Sequence, residues 1–411
     1  MRPSVLERWI QEETGCAAPA PLDRWQLDRF RDVLDYARAH SRFYQARLKD
    51  VDIPSIRTRA DLVQLPFTTA EQLRAAPQDW LCCGQSQVER VVTLKTSGTT
   101  GSPKRIFFRR EDQERTVEFF AHGMEELVSP GDRVLICMPG SQPGSVGDLL
   151  QRGLARIGVE AVQGGPVASL AASYALLRDS GCNSLVGIPI QMLGLAEYRL
   201  QLPPSQRVSI QSVLLSADAA HPALVERVQT GLDCQVFNHF GMTEMGFGVA
   251  VECSAHHGCH IRENDILVEV VDPQTGVPLP DGQMGEFVFT TLQRRAMPFL
   301  RYRTGDMGML LPGRCPCGSF LRRMLPWGGR RTGGGRLWQL DGILLACPDV
   351  VDYALEGTAL TLFGVIPPDL EIVRHRLAEL PGLKALSIAV QTISGFSGTG
   401  MQKRSLPEGS V

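Results

Sequence analysis

Between residues 133 and 237, short apolar segments alternate with segments of helical periodicity, and this alternation restricts the fold most strongly. The strand candidates are residues 133–138, 184–188, 213–215 and 235–237, and residues 148–157 have the spacing of a helix. Short apolar strands that alternate with helices are typical of a largely parallel sheet, because the connecting helices cover its faces. The pattern therefore predicts an α/β fold.

The segments before and after this region predict other architectures. Residues 22–48 carry apolar side chains at helical spacing. Residues 266–271 and 285–291 are predicted to be antiparallel strands on either side of a turn at 272–276. A Gly- and Arg-rich stretch, residues 327–336, is predicted to be a linker.

The C-terminal part is long enough for one small α+β domain. Helices are predicted near residues 340–346 and 371–380, and strands near residues 353–363 and 385–391. A chain of 411 residues exceeds the size of one compact core. We therefore expect a large domain over residues 1–329 and a small C-terminal domain over residues 330–411.

Charge and cysteine content narrow the functional classes. The formal net charge is -2, which provides no general attraction to nucleic acid or to an anionic membrane. The first 17 residues have mixed charges and no apolar run of signal-peptide length. The 11 cysteines are spread widely, which is typical of reduced thiols in a cytoplasmic enzyme. We expect a cytoplasmic enzyme without nucleic-acid or membrane partners.

A loop rich in glycine and hydroxyl side chains follows the strand candidate at residues 91–94. It reads Thr96-Ser97-Gly98-Thr99-Thr100-Gly101-Ser102-Pro103-Lys104. Gly98 and Gly101 permit positive φ, so successive N–H groups can converge on an anion, and Lys104 adds a charge for phosphate oxygens. Pro103 excludes a Walker A motif. The alternative is an ordinary polar turn between a strand and a helix.

Two further motifs lie downstream, Asn238-His239-Phe240-Gly241-Met242-Thr243-Glu244 and Arg301-Tyr302-Arg303-Thr304-Gly305-Asp306. Together with the loop and the leader at residues 65–69, they resemble the adenylate-forming superfamily of acyl-CoA synthetases. Within it, the chain is similar to the phenylacetate–CoA ligase branch, from about residue 27 to residue 330. The resemblance implies parallel-sheet αβ subdomains and a small β-barrel-like subdomain, followed by a mobile C-terminal α+β domain that is short for the family.

The resemblance also implies roles at the nucleotide. Phe240 would stack on adenine, Thr243 would contact the α-phosphate, Glu244 would hold Mg²⁺ and Asp306 would accept hydrogen bonds from ribose. The remaining nucleotide-binding candidates are Thr96, Ser97, Gly98, Thr99, Thr100, Gly101, Lys104, Ser216, Ala217, Asp218, Asn238, His239, Gly241 and Arg330. Without the resemblance, Glu244 would be an acidic residue at a helix start and Asp218 a cap of the helix near His221. Arg301 and Arg303 would be surface cations.

Lys403, in the stretch 397–404, is the candidate for the catalytic lysine that the superfamily carries near its C-terminus. A cation there would offset charge that develops on the phosphoryl group during in-line attack. The alternative is a solvated Lys-Arg pair near a chain end.

Cysteine and histidine cluster in residues 253–260, and Cys315-Pro316-Cys317 follows downstream. Two pairs of ligands from two loops would close a tetrahedral structural Zn²⁺ site. Relatives in the branch carry a similar pattern, so the ligands are assigned as Cys253, His260, Cys315 and Cys317, with Cys259 or His257 as alternatives to His260. Reduced cysteines beside unrelated histidines are the competing interpretation.

The predicted reaction is ATP- and Mg²⁺-dependent activation of a small-molecule carboxylic acid, followed by transfer of the acyl group to coenzyme A. One alternative retains adenylation and passes the acyl group to a carrier protein, an enzyme cysteine or an amine. Another is a non-catalytic nucleotide-binding relative. The sequence does not specify the acid, and the resemblance leaves a homodimer open because members of the branch are often dimeric.

Overall fold

The computed structural model describes residues 4–94, 103–330, 334–380 and 386–397. The chain forms two compact units, each built from two separate stretches of sequence. Unit 1 comprises Met1–Glu126 and His239–Pro326, and unit 2 comprises Leu127–Asn238 and Trp327–Val411. Along the described residues, no helix is both long and apolar enough to cross a bilayer.

The first stretch of unit 1 is mainly helical, as its periodicity predicts. Its helices are α1 (Val5–Thr14), α2 (Pro19–His40), α3 (Arg42–Arg47), α4 (Ala70–Ala75) and α5 (Arg110–Met124). Short 3₁₀ turns lie at Ile53–Ser55, Arg59–Gln64, Pro77–Trp80 and Gln85–Gln87. Thr69 caps α4, because its side chain accepts a hydrogen bond from the N–H of Gln72.

Strands β1 (Arg90–Leu94) and β2 (Lys104–Phe108) form an antiparallel pair in which Leu94 lies opposite Lys104. The glycine-rich stretch therefore joins two paired strands. The alternative interpretation, a turn between a strand and a helix, is wrong in its topology because α5 begins only at Arg110, after β2.

The first stretch of unit 2 contains the predicted parallel sheet. Its elements are β3 (Arg133–Cys137), α6 (Val146–Arg156), β4 (Glu160–Gln163), α7 (Leu170–Asp179), β5 (Ser184–Gly187), α8 (Pro189–Gln201), a 3₁₀ turn at Pro204–Gln206, β6 (Ser212–Leu215), α9 (Pro222–Leu232) and β7 (Gln235–Phe240). The strand order is β4-β3-β5-β6-β7, with parallel pairing throughout. The α/β class is thus confirmed.

The second stretch of unit 1 contains mainly antiparallel strands. They are β8 (Ala250–Glu252), β9 (Cys259–Ile261), β10 (Ile266–Val271), β11 (Gly285–Thr291), β12 (Tyr302–Leu311) and β13 (Arg323–Arg330). Their order is β10-β11-β12-β13-β9-β8, and the predicted β10–β11 pairing is confirmed. Residues 327–330 belong to β13 and residues 334–336 begin the helix Gly334–Leu344, so the prediction of a linker over residues 327–336 is wrong for these seven.

A buried ion pair in unit 1 involves the first arginine of the Arg-x-Arg motif. Arg301 is 2% exposed, and its Nε and Nη2 donate to the two carboxylate oxygens of Glu269 at 3.0 and 2.8 Å. Its Nη1 donates to the carbonyl of Leu65 at 2.7 Å, and its guanidinium lies 4.2 Å from the ring centroid of Phe67. The interpretation of Arg301 as a surface cation is therefore wrong, because this side chain ties the leader segment to the sheet.

The C-terminal part consists of α10 (Gly334–Leu344), β14 (Asp352–Glu356), β15 (Ala359–Gly364), α11 (Leu370–Leu377) and β16 (Ser387–Thr392). The single strand predicted over residues 353–363 is a hairpin, because Gly357 has a φ of +59° and reverses the chain. Strands β15 and β16 pair in parallel.

These C-terminal elements share a core with the first stretch of unit 2. Leu340 and Leu344 of α10 belong to the same buried cluster as Val228 of α9. Arg227 of α9 pairs with Glu197 and donates to the carbonyls of Leu345 (3.0 Å) and Val350. The contacts thus group residues 327–411 with residues 127–238, while a domain boundary at residue 330 stays a prediction.

Candidate active site

Lys104, Glu244 and Tyr302 come together in unit 1. Lys104 Nζ donates a short hydrogen bond to Glu244 Oε1, and the Tyr302 hydroxyl donates to the same oxygen at 3.1 Å. The side chain of Glu244 is 3% exposed and that of Lys104 is 18% exposed. The arrangement is a buried carboxylate held by an ammonium group that lies just after the glycine-rich loop.

Two members of this group begin strands, and the third lies in a short turn. Lys104 is the first residue of β2, and Tyr302 is the first residue of β12. Glu244 lies in a 3₁₀ turn, Thr243–Met245, that follows β7. A Cβ at Gly241 would lie 1.8 Å from the carbonyl oxygen of Phe247, so only glycine fits where the chain enters this turn.

The charges of the group are interdependent. Burial by itself raises the pKa of Glu244, but the Lys104 ammonium and the hydrogen bonds from Lys104 and Tyr302 outweigh it, so the net pKa lies below its ordinary value. Burial, together with the negative charge of Glu244, raises the pKa of Tyr302 well above its usual range. Glu244 is therefore ionised and Tyr302 neutral at physiological pH. A buried, ionised carboxylate is a hard oxygen ligand, which fits Mg²⁺.

The ribose candidate, Asp306, lies on the same strand as Tyr302 and is 8% exposed. The turn before it is built by local hydrogen bonds: the N–H of Gly305 donates to Glu286 at 3.0 Å, and that of Asp306 donates to the Thr304 hydroxyl at 2.9 Å. Gly305 has a φ of +76°, which explains glycine at this position. Strand β12 thus carries both Tyr302 and the ribose candidate.

The adenine candidate, Phe240, is half-buried near the end of β7. Its ring centroid lies 6.0 Å from those of Phe287 and Phe289. The neighbouring His239 lies 5.9 Å from the ring centroid of Phe119. Burial, with a smaller effect of the Arg262 charge, lowers the pKa of His239 to about 4, so its imidazole is neutral at physiological pH. Adenine stacking by Phe240 stays a prediction.

The candidates Ser216, Ala217, Asp218 and Asn238 belong to unit 2. Asn238 of β7 lies opposite Leu215, the last residue of β6, so Ser216 follows immediately beside it. Ala217 has a φ of +74°, a left-handed conformation that non-glycine residues adopt uncommonly. The interpretation of Asp218 as a helix cap is wrong, because His221 caps α9 by accepting from the N–H of Ala223 at 3.1 Å.

Several predicted residues lie outside the described residues. They are Thr96, Ser97, Gly98, Thr99, Thr100, Gly101 and Lys403. Arg330 is described as the last residue of β13, without its side chain. The roles of these residues stay predictions.

Four predicted zinc ligands converge in unit 1. The ligand atoms of Cys253, His260, Cys315 and Cys317 all lie within 4.8 Å of one another, and all four residues are buried. The sulfurs of Cys253 and Cys315 are 3.7 Å apart, and the Cys317 sulfur lies 3.5 Å from His260 Nε2. A tetrahedral site with Zn–S bonds of about 2.3 Å requires sulfurs roughly 3.8 Å apart. The four side chains therefore fit Zn²⁺ in type and in spacing.

The alternatives to His260 lie elsewhere. Cys259 precedes His260 on β9, so its side chain points to the opposite face, where it joins the hydrophobic core of unit 1. His257 is exposed, and its Nδ1 lies 2.6 Å from a guanidinium nitrogen of Arg323. Burial, with the Arg323 charge adding to it, lowers the pKa of His260 to about 4, which maintains the neutral imidazole that a metal requires.

Some residues around Glu244 were not predicted from the sequence. Tyr302 was part of a recognised motif but had no role assigned to it. Three side chains contact the main chain of the turn, namely Thr116, Arg262 and Arg294. Their only signal in the sequence is polarity beside apolar segments, which is also typical of surface residues.

Comparisons with known proteins identify the family to which the chain belongs. The profile of the family described as AMP-binding enzyme matches residues 23–293. The phenylacetate–coenzyme A ligase of Thermus thermophilus is 32% identical over 343 residues, which cover 80% of this chain and 76% of that protein. The phenylacetate–coenzyme A ligase of Aromatoleum evansii is 30% identical over 406 residues, 93% and 90% of the two chains.

A solved structure of 2-hydroxyisobutyryl-CoA ligase in the postadenylation state matches the fold with a TM-score of 0.79. The match has 20% identity and covers 95% of this chain and 90% of that one. The family profile, the ligase relatives and the fold together define an enzyme of the adenylate-forming ligase class. The chain belongs to the AMP-binding enzyme family and, within it, to the phenylacetate–CoA ligase-like branch, which confirms the resemblance seen in its motifs.

Proposed function

We propose that the protein is an AMP-forming acid–thiol ligase that activates a carboxylic acid with ATP and transfers the acyl group to coenzyme A. The main support is the buried group of Lys104, Glu244 and Tyr302. It combines a cation beside a phosphate-binding sequence with an ionised carboxylate, the two charges needed to bind a metal–nucleotide complex. The names of the relatives, phenylacetate– and 2-hydroxyisobutyryl-CoA ligases, support the acid and coenzyme A as substrates.

The reaction has two steps. In the first, an oxygen of the substrate carboxylate attacks the α-phosphorus of ATP, and the bond to pyrophosphate breaks as the acyl-adenylate forms. In the second, the thiol sulfur attacks the acyl carbon, AMP leaves with the electron pair of its bond, and the thiol proton passes to solvent. Both steps conserve atoms and need no redox partner.

The residues have distinct roles in this proposal. Lys104 binds phosphate oxygens, and Glu244 would hold Mg²⁺, which supplies positive charge to the phosphates when bound. Tyr302 orients the Glu244 carboxylate through its hydroxyl. Asp306 accepts from ribose, Phe240 lies against adenine, and Thr243 contacts the α-phosphate.

One further role in the proposal belongs to a residue outside the described ranges. Lys403 would place a cation near the α-phosphate during the first step. A movement of residues 330–411 between the two steps is part of the proposal and rests on the family resemblance.

Pyrophosphate exchange across a panel of acids tests the proposal. The panel begins with phenylacetate, because the relatives are named for that acid, and extends to benzoate, 2-hydroxyisobutyrate, fatty acids and amino acids. Acid-dependent exchange supports adenylation, and AMP release that then requires coenzyme A supports the thiol transfer. Transfer only to a holo-carrier protein would overturn the choice of acceptor. Absence of exchange with every acid would indicate a nucleotide-binding relative.

We infer further that Cys253, His260, Cys315 and Cys317 bind a structural Zn²⁺ ion. All four ligands come from protein, so the site leaves no open position for chemistry. The neighbouring Glu7 of α1 accepts hydrogen bonds from Ser319 and from the N–H of Phe320 at 2.8 Å. Zinc would therefore stabilise the turn at residues 315–319 together with the helix that docks on it.

A further inference from the structure

The turn that carries Glu244 is held by its main-chain carbonyls. Three successive carbonyl oxygens accept hydrogen bonds from three side chains that are each less than 9% exposed. The donor–acceptor pairs are Arg294 to Glu244, Arg262 to Met245 (3.3 Å) and Thr116 to Gly246 (2.9 Å). Buried carbonyls need such partners, so the turn has little freedom to shift while they remain.

Arg294 differs from the other two donors because it also reaches the strand that carries Lys104. Its Nη2 donates to the carbonyl of Phe107 on β2 at 3.1 Å, while its Nη1 donates to the carbonyl of Glu244. One guanidinium thus joins the two chain segments whose side chains form the Lys104–Glu244 ion pair. A planar group with several fixed donors is suited to such a bridge.

Arg294 is itself fixed from several sides. Its guanidinium lies 4.3 Å from the ring centroid of Phe108 and 5.3 Å from that of Phe299. The two residues after Arg294 are held as well, because the N–H groups of Arg295 and Ala296 donate to the Asp112 carboxylate at 3.0 and 3.2 Å. Burial lowers the pKa of Arg294 to about 10, against the opposing charges of Asp112, Asp265 and Glu244, so the guanidinium stays charged at neutral pH.

We propose that Arg294 is a positioning residue that sets the distance between Lys104 and Glu244 and so prepares the site for the nucleotide phosphates. This inference rests on the proposed function for the roles of Lys104 and Glu244. Without Arg294, two buried carbonyls lose their donor, and strand and turn move independently. A misplacement of about 1 Å in a catalytic constellation costs on the order of 100-fold in rate.

Two variants of Arg294 and one matched control test the inference. Arg294→Met removes the hydrogen bonds to the carbonyls of Phe107 and Glu244. Arg294→Lys retains the positive charge and can donate to one of these carbonyls. Arg199→Met is the control, because Arg199 is a buried arginine of unit 2 that also donates to two carbonyls, those of Val208 (3.3 Å) and Gly231 (3.0 Å). The measurements are the melting temperature, equilibrium binding of ATP with and without Mg²⁺, and kcat and KM for MgATP in pyrophosphate exchange.

We expect Arg294→Met to weaken ATP binding and to lower kcat/KM for MgATP by about 10- to 100-fold, with partial recovery in Arg294→Lys. Arg199→Met should lower the melting temperature by a similar number of degrees. Its ATP affinity and its kcat/KM for MgATP should stay within about two-fold of the unsubstituted protein, because Arg199 contacts neither β2 nor the turn that carries Glu244. Equal nucleotide parameters in Arg294→Met and in the control would overturn the inference and reduce Arg294 to a structural residue.

The same experiment separates this inference from the proposed function. If the unsubstituted protein exchanges pyrophosphate with no acid, the proposed function fails. The inference is then judged on ATP binding alone: a loss of affinity in Arg294→Met that the control does not show supports it, and unchanged affinity overturns it. Arg294→Lys serves for the same comparison if Arg294→Met does not fold.

Discussion

Lys104 Nζ donates to Glu244 Oε1, although 140 positions separate the two residues in the chain. The pair forms where β2 begins and where the 3₁₀ turn after β7 passes it. It keeps a buried carboxylate ionised, because the ammonium charge outweighs the effect of burial on the pKa of Glu244. The site therefore has its charges in place before a nucleotide arrives.

Removal of either partner of this pair should impair adenylation. We expect Lys104→Met and Glu244→Gln each to lower pyrophosphate exchange by about 100- to 1000-fold, the range for loss of one electrostatic contact to a reacting phosphate or oxyanion. The double variant should lose less than the product of the two, since the hydrogen-bonded ion pair couples the two residues and each single substitution already disturbs the other partner. Exchange rates of the three variants test this, and additive losses would show that the two residues act independently.

The stability of the protein should fall in mild acid, in part because of His239. Its pKa is about 4 in the folded protein, well below the ordinary value of about 6.5. The unfolded chain therefore binds more protons than the folded protein between these two pH values. The contribution of His239 to the free energy of unfolding is fully present above about pH 6.5 and is lost as the pH falls towards 4. One extra proton gives a slope of up to about 1.4 kcal/mol per pH unit.

Urea unfolding at pH 7, 6 and 5 checks this prediction, because pH 7 lies above the range in which His239 titrates and pH 6 and 5 lie within it. His239→Gln should show a smaller loss of unfolding free energy between pH 7 and pH 5 than the unsubstituted protein. His375→Gln, on the exposed face of α11, is the control and should follow the unsubstituted protein. Identical pH profiles for all three would contradict the prediction.

Metal analysis should find about one Zn²⁺ ion per chain, the number that a closed four-ligand site binds. Cys315→Ser and Cys317→Ser should each lose most of the zinc and unfold at lower temperature, because metal binding contributes to folding free energy. Cys259→Ala should retain zinc, since its side chain lies in the hydrophobic core and outside the cluster. Elemental analysis and thermal unfolding measure both effects, and zinc loss in Cys259→Ala would mean that the ligand set is wrong.

The buried pair Arg301–Glu269 should contribute to stability more than to catalysis. Arg301→Met leaves the Glu269 carboxylate buried without its partner, which costs roughly 3–5 kcal/mol of unfolding free energy. The double variant Arg301→Met with Glu269→Leu should recover much of that loss. Lys49→Met is the control, because Lys49 and Asp50 form an exposed pair that contributes at most about 1 kcal/mol. A loss in Arg301→Met no larger than that of the control in urea unfolding would contradict this.

Local sequence patterns predicted the strands that are buried on both faces. Strands β3, β5 and β6 are short runs of mainly apolar residues, because both faces of a parallel sheet are covered. Strands β8 and β9 have only three residues each and mix apolar residues with Glu252, Cys259 and His260, so they show no period. The hairpin at residues 352–364 was predicted as one strand because a two-residue turn leaves little signal in composition.

Part of the candidate site was also predictable from the sequence, and part was not. The phosphate and ribose motifs were visible because each is a contiguous stretch of chemically distinctive residues, and the zinc candidates were visible as two such stretches. The positions of Arg262 and Arg294 were not visible, because their function depends on carbonyls that the fold places beside them from distant parts of the chain.

The sequence by itself determined the α/β class, the family and the set of candidate ligand residues with its alternatives, because these depend on local periodicity and on side-chain chemistry. Only the tertiary structure decided that Lys104 pairs with Glu244, that His260 and not Cys259 joins the three thiols, and that residues 327–411 share a core with residues 127–238. Buried polar contacts depend on which segments the topology brings together, and a linear pattern does not contain that information.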